Sequence, residues 1–442
     1  MAHHEFRKAN IQITPSSSPA PTPAPVSAPT SPPPPTKPLP SIPKRLVSLD
    51  ALRGFDLFFL FALGSILTSL LTGPLGHLTT KYPFLAQIPP QLNHTAWEGF
   101  TAWDLIMPLF MFMAGVTIPF SLSRYTSHGG GKFLFRVIFR LARRVILLWI
   151  CGMIVQGNLL HLKLEGLRLY SNTLQAIAVG YLIAAVCFLC FRRRWQILTA
   201  LLLLLGYWAA MKWGHGQDSF GLCGNGSYLP DMSFGEFIER KILGRWRDGY
   251  DWGAGTFSPD YHYTWILSSL TFGVTTLLGS IAGGIIKDTR DRAYREYTKG
   301  PMYKTFGILL VAGLALGAAG WYWAKVPAES FFYSPMIKIL WTGSMTLFSG
   351  GLSYLLLAFF FLIYDIWGLP LCSTFLRVIG MNSIFCYMFA HIYNLDEISG
   401  KVLFGLEQYV GGYYPALRTF CGFCVLWFFM FCMYRAKKFI RL

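Results

Sequence analysis

The sequence predicts an all-α polytopic membrane protein with about ten transmembrane helices. Of its 442 residues, 53% are hydrophobic and only 13% are charged. Uncharged runs at 197–210 and 355–364 are too apolar for a soluble domain of this size. The ten predicted spans are 51–72, 101–122, 137–156, 171–191, 196–213, 263–286, 305–324, 339–365, 374–395 and 414–434.

Composition divides the chain into two parts. From residue 15 to residue 43 it is mostly Pro, Ser, Ala and Thr, and such a segment cannot bury a hydrophobic core. We therefore expect a disordered Pro-rich tail at 1–43 and a membrane domain at 44–442. Within that domain, 214–262 is a long loop.

The distribution of basic residues predicts the orientation in the membrane. Counted from Lys37, with the N-terminus in the cytosol, the cytosolic segments hold twice as many Lys and Arg residues as the opposite side. This bias predicts that both termini are cytosolic and that the 73–100 and 214–262 loops are not. The net charge of +17 follows from these short loops, so it does not indicate a nucleic-acid partner.

The most informative segment is 93–122. His94, Trp97, Glu98 and Asp104 lie directly before a long apolar stretch. Ionisable groups at membrane depth are costly, so such a cluster indicates a functional site. Anchoring at the membrane interface would account for a single Trp or His, but it accounts less well for the whole cluster.

Further polar residues lie in or near the predicted spans. They are Asp50, Arg53, Asn172, Gln175, Lys338, Trp341, Asn382 and Ser383. Asp50 and Arg53 can pair on one helix face, and each of the others can serve as a hydrogen bond between helices. Taken together, they favour a polar cavity through the bundle.

The 214–262 loop combines aromatic residues with carboxylates, among them Trp252 and Asp260. Aromatic faces beside carboxylates suit sugar rings, and an interfacial aromatic belt explains the pattern equally well. Most of the nine cysteines lie in or beside apolar spans, where they pack as small residues. We expect no metal site and no disulfide framework.

Five segments together resemble a known family. They are RLVSLDALRG at 45–54, HTAWEGFTAWDLIMPLFMFMAG at 94–115, NTLQAIAVGYL at 172–182, KILWTGSM at 338–345 and GMNSI at 380–384. Their order and spacing are similar to those of the heparan-α-glucosaminide N-acetyltransferase family, including its bacterial members. The 94–115 segment is the most specific of the five.

The resemblance implies acetyl transfer across a membrane. In that family cytosolic acetyl-CoA is the donor, an amino sugar or glycan beyond the membrane is the acceptor, and the active-site histidine falls on His94. One departure concerns the end of the first span, where relatives often carry an asparagine and this chain has Gly64 and Ser65. The Pro-rich tail stands where the animal enzymes have a further region and span, which favours a bacterial inner membrane over a lysosomal one.

These expectations assign roles to particular residues. His94 acts as a general base or as a nucleophile that carries the acetyl group, and Glu98 or Asp104 orients its ring. The residues expected to bind coenzyme A are Arg53, Arg140 and Arg144 for the phosphates, and Asn172, Gln175, Asn382 and Ser383 along the pantetheine arm. The residues expected to contact the acceptor are Trp97, Trp252, Asp260 and Trp341.

A transporter for amino sugars or oligosaccharides, without acyl transfer, is the alternative from a different class. Polar residues at the membrane midplane suit such a protein too, although no inverted repeat is evident. Transfer of labelled acetyl groups separates the two functions. The sequence leaves a monomer and a homodimer both open.

Overall fold

The computed structural model describes residues 46–125, 131–161, 163–296 and 298–440, all within one compact unit. The all-α polytopic fold predicted from the sequence is confirmed. The predicted Pro-rich tail at 1–43 lies outside the described residues.

Among the described residues, eight helices are long and apolar enough to cross a membrane. They are Val47–Thr72, Ala102–Leu122, Thr173–Cys190, Arg193–Trp213, Ser269–Glu296, Gly300–Ala324, Gly343–Trp367 and Glu407–Arg435. A further candidate is the pair Ser373–Gly380 and Ser383–Ile392, which is bent by 72°. The span predicted at 137–156 forms helix Gly131–Val155, which has an arginine-rich stretch at 136–144 and is not among the eight.

Several of these spans are composite. Val47–Thr72 and Gly343–Trp367 include π-helical turns at Phe59–Leu63 and Phe361–Trp367. Ala102–Leu122 begins with a 3₁₀ turn at Ala102–Leu105 and continues as helices Ile106–Val116 and Ile118–Leu122. The last span is built from Glu407–Val410, Gly411–Tyr413 and Tyr414–Arg435.

Shorter elements connect the spans. The helices are Gly76–Lys81, Pro83–Ala86, Ile88–Gln91, Ser123–Tyr125, Asn158–His161, Phe234–Leu243, Gly244–Trp246 and Leu395–Val402. The strands are His215–Asp218 paired antiparallel with Gly221–Gly224, and Tyr250–Asp251 paired antiparallel with Thr256–Phe257. Both hairpins belong to the 214–262 loop.

Helix Ser269–Glu296 forms the centre of the bundle, with 78% of its most apolar window buried. It packs directly against helix Ile106–Val116. A Cβ atom added to Gly279 would lie 2.0 Å from the carbonyl oxygen of Phe112, and one added to Gly115 would lie 2.0 Å from that of Thr276. Small residues therefore allow the two backbones to approach closely, as is common between membrane helices.

Two predicted spans begin well inside the ranges given by the sequence analysis. The span predicted from 263 begins at Ser269. The preceding N–H groups of Trp265 and Ile266 donate to the carboxylate of Glu239, at 3.1 and 3.0 Å. The span predicted from 339 begins at Gly343, because Trp341 has a positive φ of 52° within a turn. Both displaced starts lie near the cavity described next.

Candidate active site

Thr101 and Asp104 start the helix that carries the site. They form a capping box in which one carboxylate oxygen of Asp104, Oδ2, accepts from the backbone N–H and the hydroxyl of Thr101 at 3.2 and 3.0 Å. The hydroxyl of Thr95 donates to the same oxygen at 3.3 Å. The side chain of Asp104 is only 1% exposed, so the cap fixes its orientation and leaves Oδ1 for other partners.

His94 and Lys338 meet at this second oxygen. The Nδ1 atom of His94 lies 2.7 Å from Oδ1 of Asp104, and the Nζ atom of Lys338 lies 3.2 Å from it. The Nζ atom of Lys338 is also 3.1 Å from Nδ1 of His94. Burial lowers the pKa of Lys338, while the neighbouring Asp104 carboxylate opposes that shift. The site thus holds an imidazole, a carboxylate and a desolvated amine in mutual contact.

Glu98 helps to position Lys338 through its backbone. Glu98 and Ile337 form an antiparallel bridge, and the N–H of Gly99 donates to the carbonyl oxygen of Met336 at 2.8 Å. These bonds tie the 93–101 segment to the residues just before Lys338. The side chain of Glu98 lines a separate cavity, so the structure does not bring it to His94.

A cavity of about 510 Å³ opens beside this cluster. His94, Trp103 and Lys338 line it on one side, and Tyr263 and Trp265 line it from the end of the 214–262 loop. Burial raises the pKa of Tyr263, with the Asp104 carboxylate adding to the shift. The phenol is therefore a neutral hydrogen-bonding group at physiological pH.

A chain of polar contacts crosses the same cavity. Arg168 pairs with Asp248 at 2.8 Å, Gln156 donates to Asp248 at 3.4 Å, and Asn172 donates to Gln156 at 3.0 Å. All four side chains line the cavity. Such an arrangement offers several hydrogen-bond donors and acceptors next to the aromatic wall.

Two further cavities adjoin the first. A small one of about 40 Å³ shares Thr173 and Tyr387 with it and is also lined by Ile177 and Ser383. The next cavity, of about 220 Å³, shares Ile177 and Ser383 with the small one. The residues that give this last cavity its charge are Asp50, Arg53 and Arg144. Each cavity thus shares lining residues with the next one, and the series extends from His94 to Arg53 and Arg144.

The residues expected to bind coenzyme A divide into two groups. Those that line these cavities are Arg53, Arg144, Asn172 and Ser383. Those outside them are Arg140, whose guanidinium lies over the ring of Tyr125, and Gln175 and Asn382.

Gln175 and Asn382 are engaged by backbone groups. The side-chain oxygen of Gln175 accepts from the N–H groups of Ser171 and Asn172 at 2.9 and 3.1 Å. The side chain of Asn382 donates to the carbonyl of Lys438 at 3.2 Å and accepts from the N–H of Ile440 at 3.0 Å. Their polarity is accounted for by a helix cap and by attachment of the C-terminal segment.

None of the four residues expected to contact the acceptor lines the 510 Å³ cavity. Trp97 donates to the carbonyl of Tyr228 at 3.0 Å, and Trp341 is buried and donates to Thr275 at 3.3 Å. Trp252 packs edge-on against neighbouring aromatic rings, and Asp260 is exposed. The structure instead brings Tyr263 and Trp265 to the cavity.

Lys338 contacts Asp104 and His94, but the sequence analysis did not assign it to the site. The sequence signal was a lysine followed at once by an apolar stretch, within the KILWTGSM segment. A lysine at that depth needs an anionic partner. Asp104 is that partner in the fold, but the sequence separation of more than two hundred residues hides the pairing.

The structure also explains why position 64 is a glycine. A Cβ atom at this position would lie 2.3 Å from the indole ring of Trp103, which lines the cavity beside His94. Trp103 and Gly64 therefore depend on each other sterically. The indole fills space where a larger residue at position 64 would place its side chain.

The 214–262 loop contains a group of potential metal ligands. Asp231, Glu236 and His262 place their ligand atoms within 4.8 Å of one another. His262 already contacts Glu236 at 3.0 Å and Asp231 at 3.4 Å, and Arg240 lies 3.9 Å from Asp231. This group is not part of the 510 Å³ cavity.

Comparison with known proteins finds one matching family model and two named acetyltransferases to which the chain is similar. Residues 45–211 match a family described as a domain of unknown function, DUF5009. The human heparan-alpha-glucosaminide N-acetyltransferase is 25% identical over 393 residues, covering 80% of this chain and 54% of that protein. The mouse protein of the same name is 25% identical over 335 residues, covering 67% of this chain and 48% of its own length.

The chain is similar to the heparan-alpha-glucosaminide N-acetyltransferases. The resemblance predicted from the five sequence segments is thus confirmed. The chain spans about half the length of the curated relatives it matches. The names of these relatives point to acyl transfer.

Proposed function

We propose that this chain is a transmembrane acetyltransferase, which moves the acetyl group of acetyl-CoA to an amino sugar or glycan across the membrane. The observation that carries the proposal is the series of adjoining cavities between Arg53 and Arg144 at one end and His94 at the other. Coenzyme A is too highly charged to cross hydrocarbon, so its acetyl group needs such a route. The names of the human and mouse relatives support the same reaction.

The donor enters at the arginine end in this proposal. Arg53 and Arg144 line the 220 Å³ cavity and face the phosphates, and Arg144 also lies over the ring of Tyr181 at 4.0 Å. The pantetheine arm then follows Ser383 and Asn172 towards His94. We place this end in the cytosol, because Lys and Arg residues are concentrated there.

His94 performs the proton transfer. With a proton on Nδ1 directed at Asp104, the lone pair on Nε2 is free to take a proton from the acceptor amine. The amine nitrogen bonds to the carbonyl carbon of the thioester, the carbon–sulfur bond breaks, and the proton passes from Nε2 to the departing sulfur. In the covalent alternative, Nε2 attacks the thioester carbon and the carbon–sulfur bond breaks, which releases the coenzyme A thiolate. The amine nitrogen then attacks the acetyl carbon, the bond to Nε2 breaks, and the amine proton neutralises the thiolate.

The acceptor occupies the 510 Å³ cavity. Tyr263 and Trp265 offer apolar faces to a sugar ring, while Asp248 and Gln156 offer polar contacts to its hydroxyl and amino groups. The relatives are named for a glucosaminide, so a terminal glucosamine is the first acceptor to test. The membrane is a bacterial inner membrane in this proposal.

Purified protein tests the reaction with labelled acetyl-CoA and glucosamine. We expect labelled N-acetylglucosamine from the wild type and from His77→Ala, an exposed histidine, and a loss of about 10²–10⁴-fold in His94→Ala. Glucosamine uptake into vesicles without acetylation would instead establish the transporter. Equal transfer by His94→Ala and wild type would contradict the site.

A further inference from the structure

The cluster around His94 contains a lysine in addition to the histidine and the carboxylate. The side chain of Lys338 is only 9% exposed, and its Nζ atom contacts both Oδ1 of Asp104 and Nδ1 of His94. Resting on the proposed function, we propose that Lys338 is a positioning residue whose cation offsets the charge of Asp104 beside the ring of His94.

The carboxylate of Asp104 has several hydrogen-bond donors around it. Oδ2 of Asp104 accepts from Thr101 and Thr95, and Oδ1 is shared by Lys338 and His94. The carboxylate is therefore surrounded by donors and stays ionised. Because His94 lies at 2.7 Å from Oδ1, its Nδ1–H is the donor there, and Nε2 keeps its lone pair.

Lys338 changes the charge balance of this arrangement. With a carboxylate alone, an imidazolium ion would be strongly stabilised, and Nε2 would hold its proton. A lysine cation at 3.1 Å from the same ring opposes the effect of that carboxylate charge on the imidazole. His94 can then take a proton from the amine and give it up to the sulfur of coenzyme A in the same cycle.

Other ionisable side chains face the same cavity but do not make this contact. They are Arg168 and Asp248, which pair with each other, and Tyr261, Tyr263, Tyr387 and His391. Glu98 lies on the neighbouring segment and lines another cavity. None of these residues is altered in the variants described next, so their influence on His94 stays constant.

The test measures the protonation of His94 directly. Diethyl pyrocarbonate reacts with the neutral imidazole, and mass spectrometry of the full-length protein gives the modification rate of His94 against pH. In Lys338→Met we expect the midpoint of this curve to rise by about one pH unit, because the repelling cation is gone. Lys338→Gln keeps a hydrogen-bond donor without the charge, and we expect the same rise.

Two control variants distinguish the effect of the Lys338 charge from other effects of a substitution. Lys338→Arg retains the cation and should keep the wild-type midpoint, as should Lys325→Met, whose lysine lies over Trp321 in another cavity. An unchanged midpoint in a folded Lys338→Met or Lys338→Gln protein would overturn the inference.

The acetyl-transfer assay keeps this inference separate from the proposed function. If the wild type transfers acetyl groups, the acid limb of kcat/KM should move with the midpoint of His94 modification in Lys338→Gln, and Lys338→Arg should restore it. If the wild type transfers nothing while the midpoint still shifts, the acetyltransferase proposal fails and the electrostatic role of Lys338 stands.

Discussion

The Nδ1 atom of His94 lies 2.7 Å from the Oδ1 atom of Asp104, whose other oxygen caps the helix Ala102–Leu122. One carboxylate thus fixes the start of a membrane helix and the orientation of the proposed catalytic ring. The proposed catalytic geometry and the local fold are therefore linked through Asp104.

Asp104→Asn should separate these two roles. The amide keeps an oxygen for the helix cap but loses the negative charge, so we expect kcat for acetyl transfer to fall by about 10²–10⁴-fold while the protein still folds. Steady-state kinetics and the thermal unfolding midpoint provide the measurement. Asp251→Asn, in an exposed hairpin, is the matched control. Wild-type kcat in a folded Asp104→Asn protein would remove the carboxylate from the mechanism.

Arg144 and Arg140 offer a matched comparison on one helix. Arg144 lines the cavity proposed for the coenzyme A phosphates, whereas Arg140 lies over Tyr125. Arg144→Gln should raise the KM for acetyl-CoA more than it lowers kcat, because phosphate charge does not change during transfer. Arg140→Gln should leave KM near the wild-type value. A larger rise in Arg140→Gln would place the phosphates elsewhere.

The small cavity between the two ends should limit the passage of the pantetheine arm. Ile177 lines it, while Leu182, on the same helix, is exposed on the surface of the bundle. Ile177→Trp should therefore block transfer to the acceptor, and Leu182→Trp should not. The assay is single-turnover transfer of labelled acetyl groups at saturating acetyl-CoA. Normal transfer by Ile177→Trp would show that the acetyl group takes another path.

Glu239 predicts a dependence of stability on pH. Burial raises its pKa to about 7, although the N–H groups of Ile266 and Trp265 and the charge of Arg247 oppose the shift. A raised pKa means that the folded state favours the protonated acid, and this preference stabilises the folded state. The stabilisation is complete below the ordinary pKa of 4.5 and is lost as pH rises through about 7.

Glu239→Gln should abolish that part of the pH dependence. The amide oxygen can still accept from the backbone of Trp265, and it has no proton to lose near neutrality. The thermal unfolding midpoint of the full chain, measured from pH 5 to pH 8, should fall with pH more steeply in the wild type than in Glu239→Gln. Glu397→Gln, at an exposed position, should follow the wild type. Equal slopes for Glu239→Gln and wild type would contradict the assignment.

The membrane spans could be predicted from sequence because apolarity over about 20 residues is a local property. The cluster at His94 could be predicted only in part. Asp104 lies 10 residues from His94, but Lys338 lies 244 residues away, and only the tertiary fold joins them.

Polarity alone could not separate cavity residues from structural ones. Gln175 and Asn382 are as polar as Asn172, yet their side chains bond to backbone groups, whereas Asn172 also lines the cavity. The residues predicted to contact the acceptor do not line the 510 Å³ cavity, for a similar reason. The sequence does not show which group an aromatic side chain contacts. In the fold, Trp97 and Trp341 each donate a hydrogen bond to a group within the protein.

The most direct measurement of the central claim uses sealed vesicles with the protein in one orientation, labelled acetyl-CoA on one side and glucosamine on the other. We predict labelled N-acetylglucosamine when acetyl-CoA is supplied on the side of Arg53 and Arg144, and none in His94→Ala. Transfer from acetyl-CoA supplied only on the side of His94, or equal transfer by His94→Ala, would contradict the account.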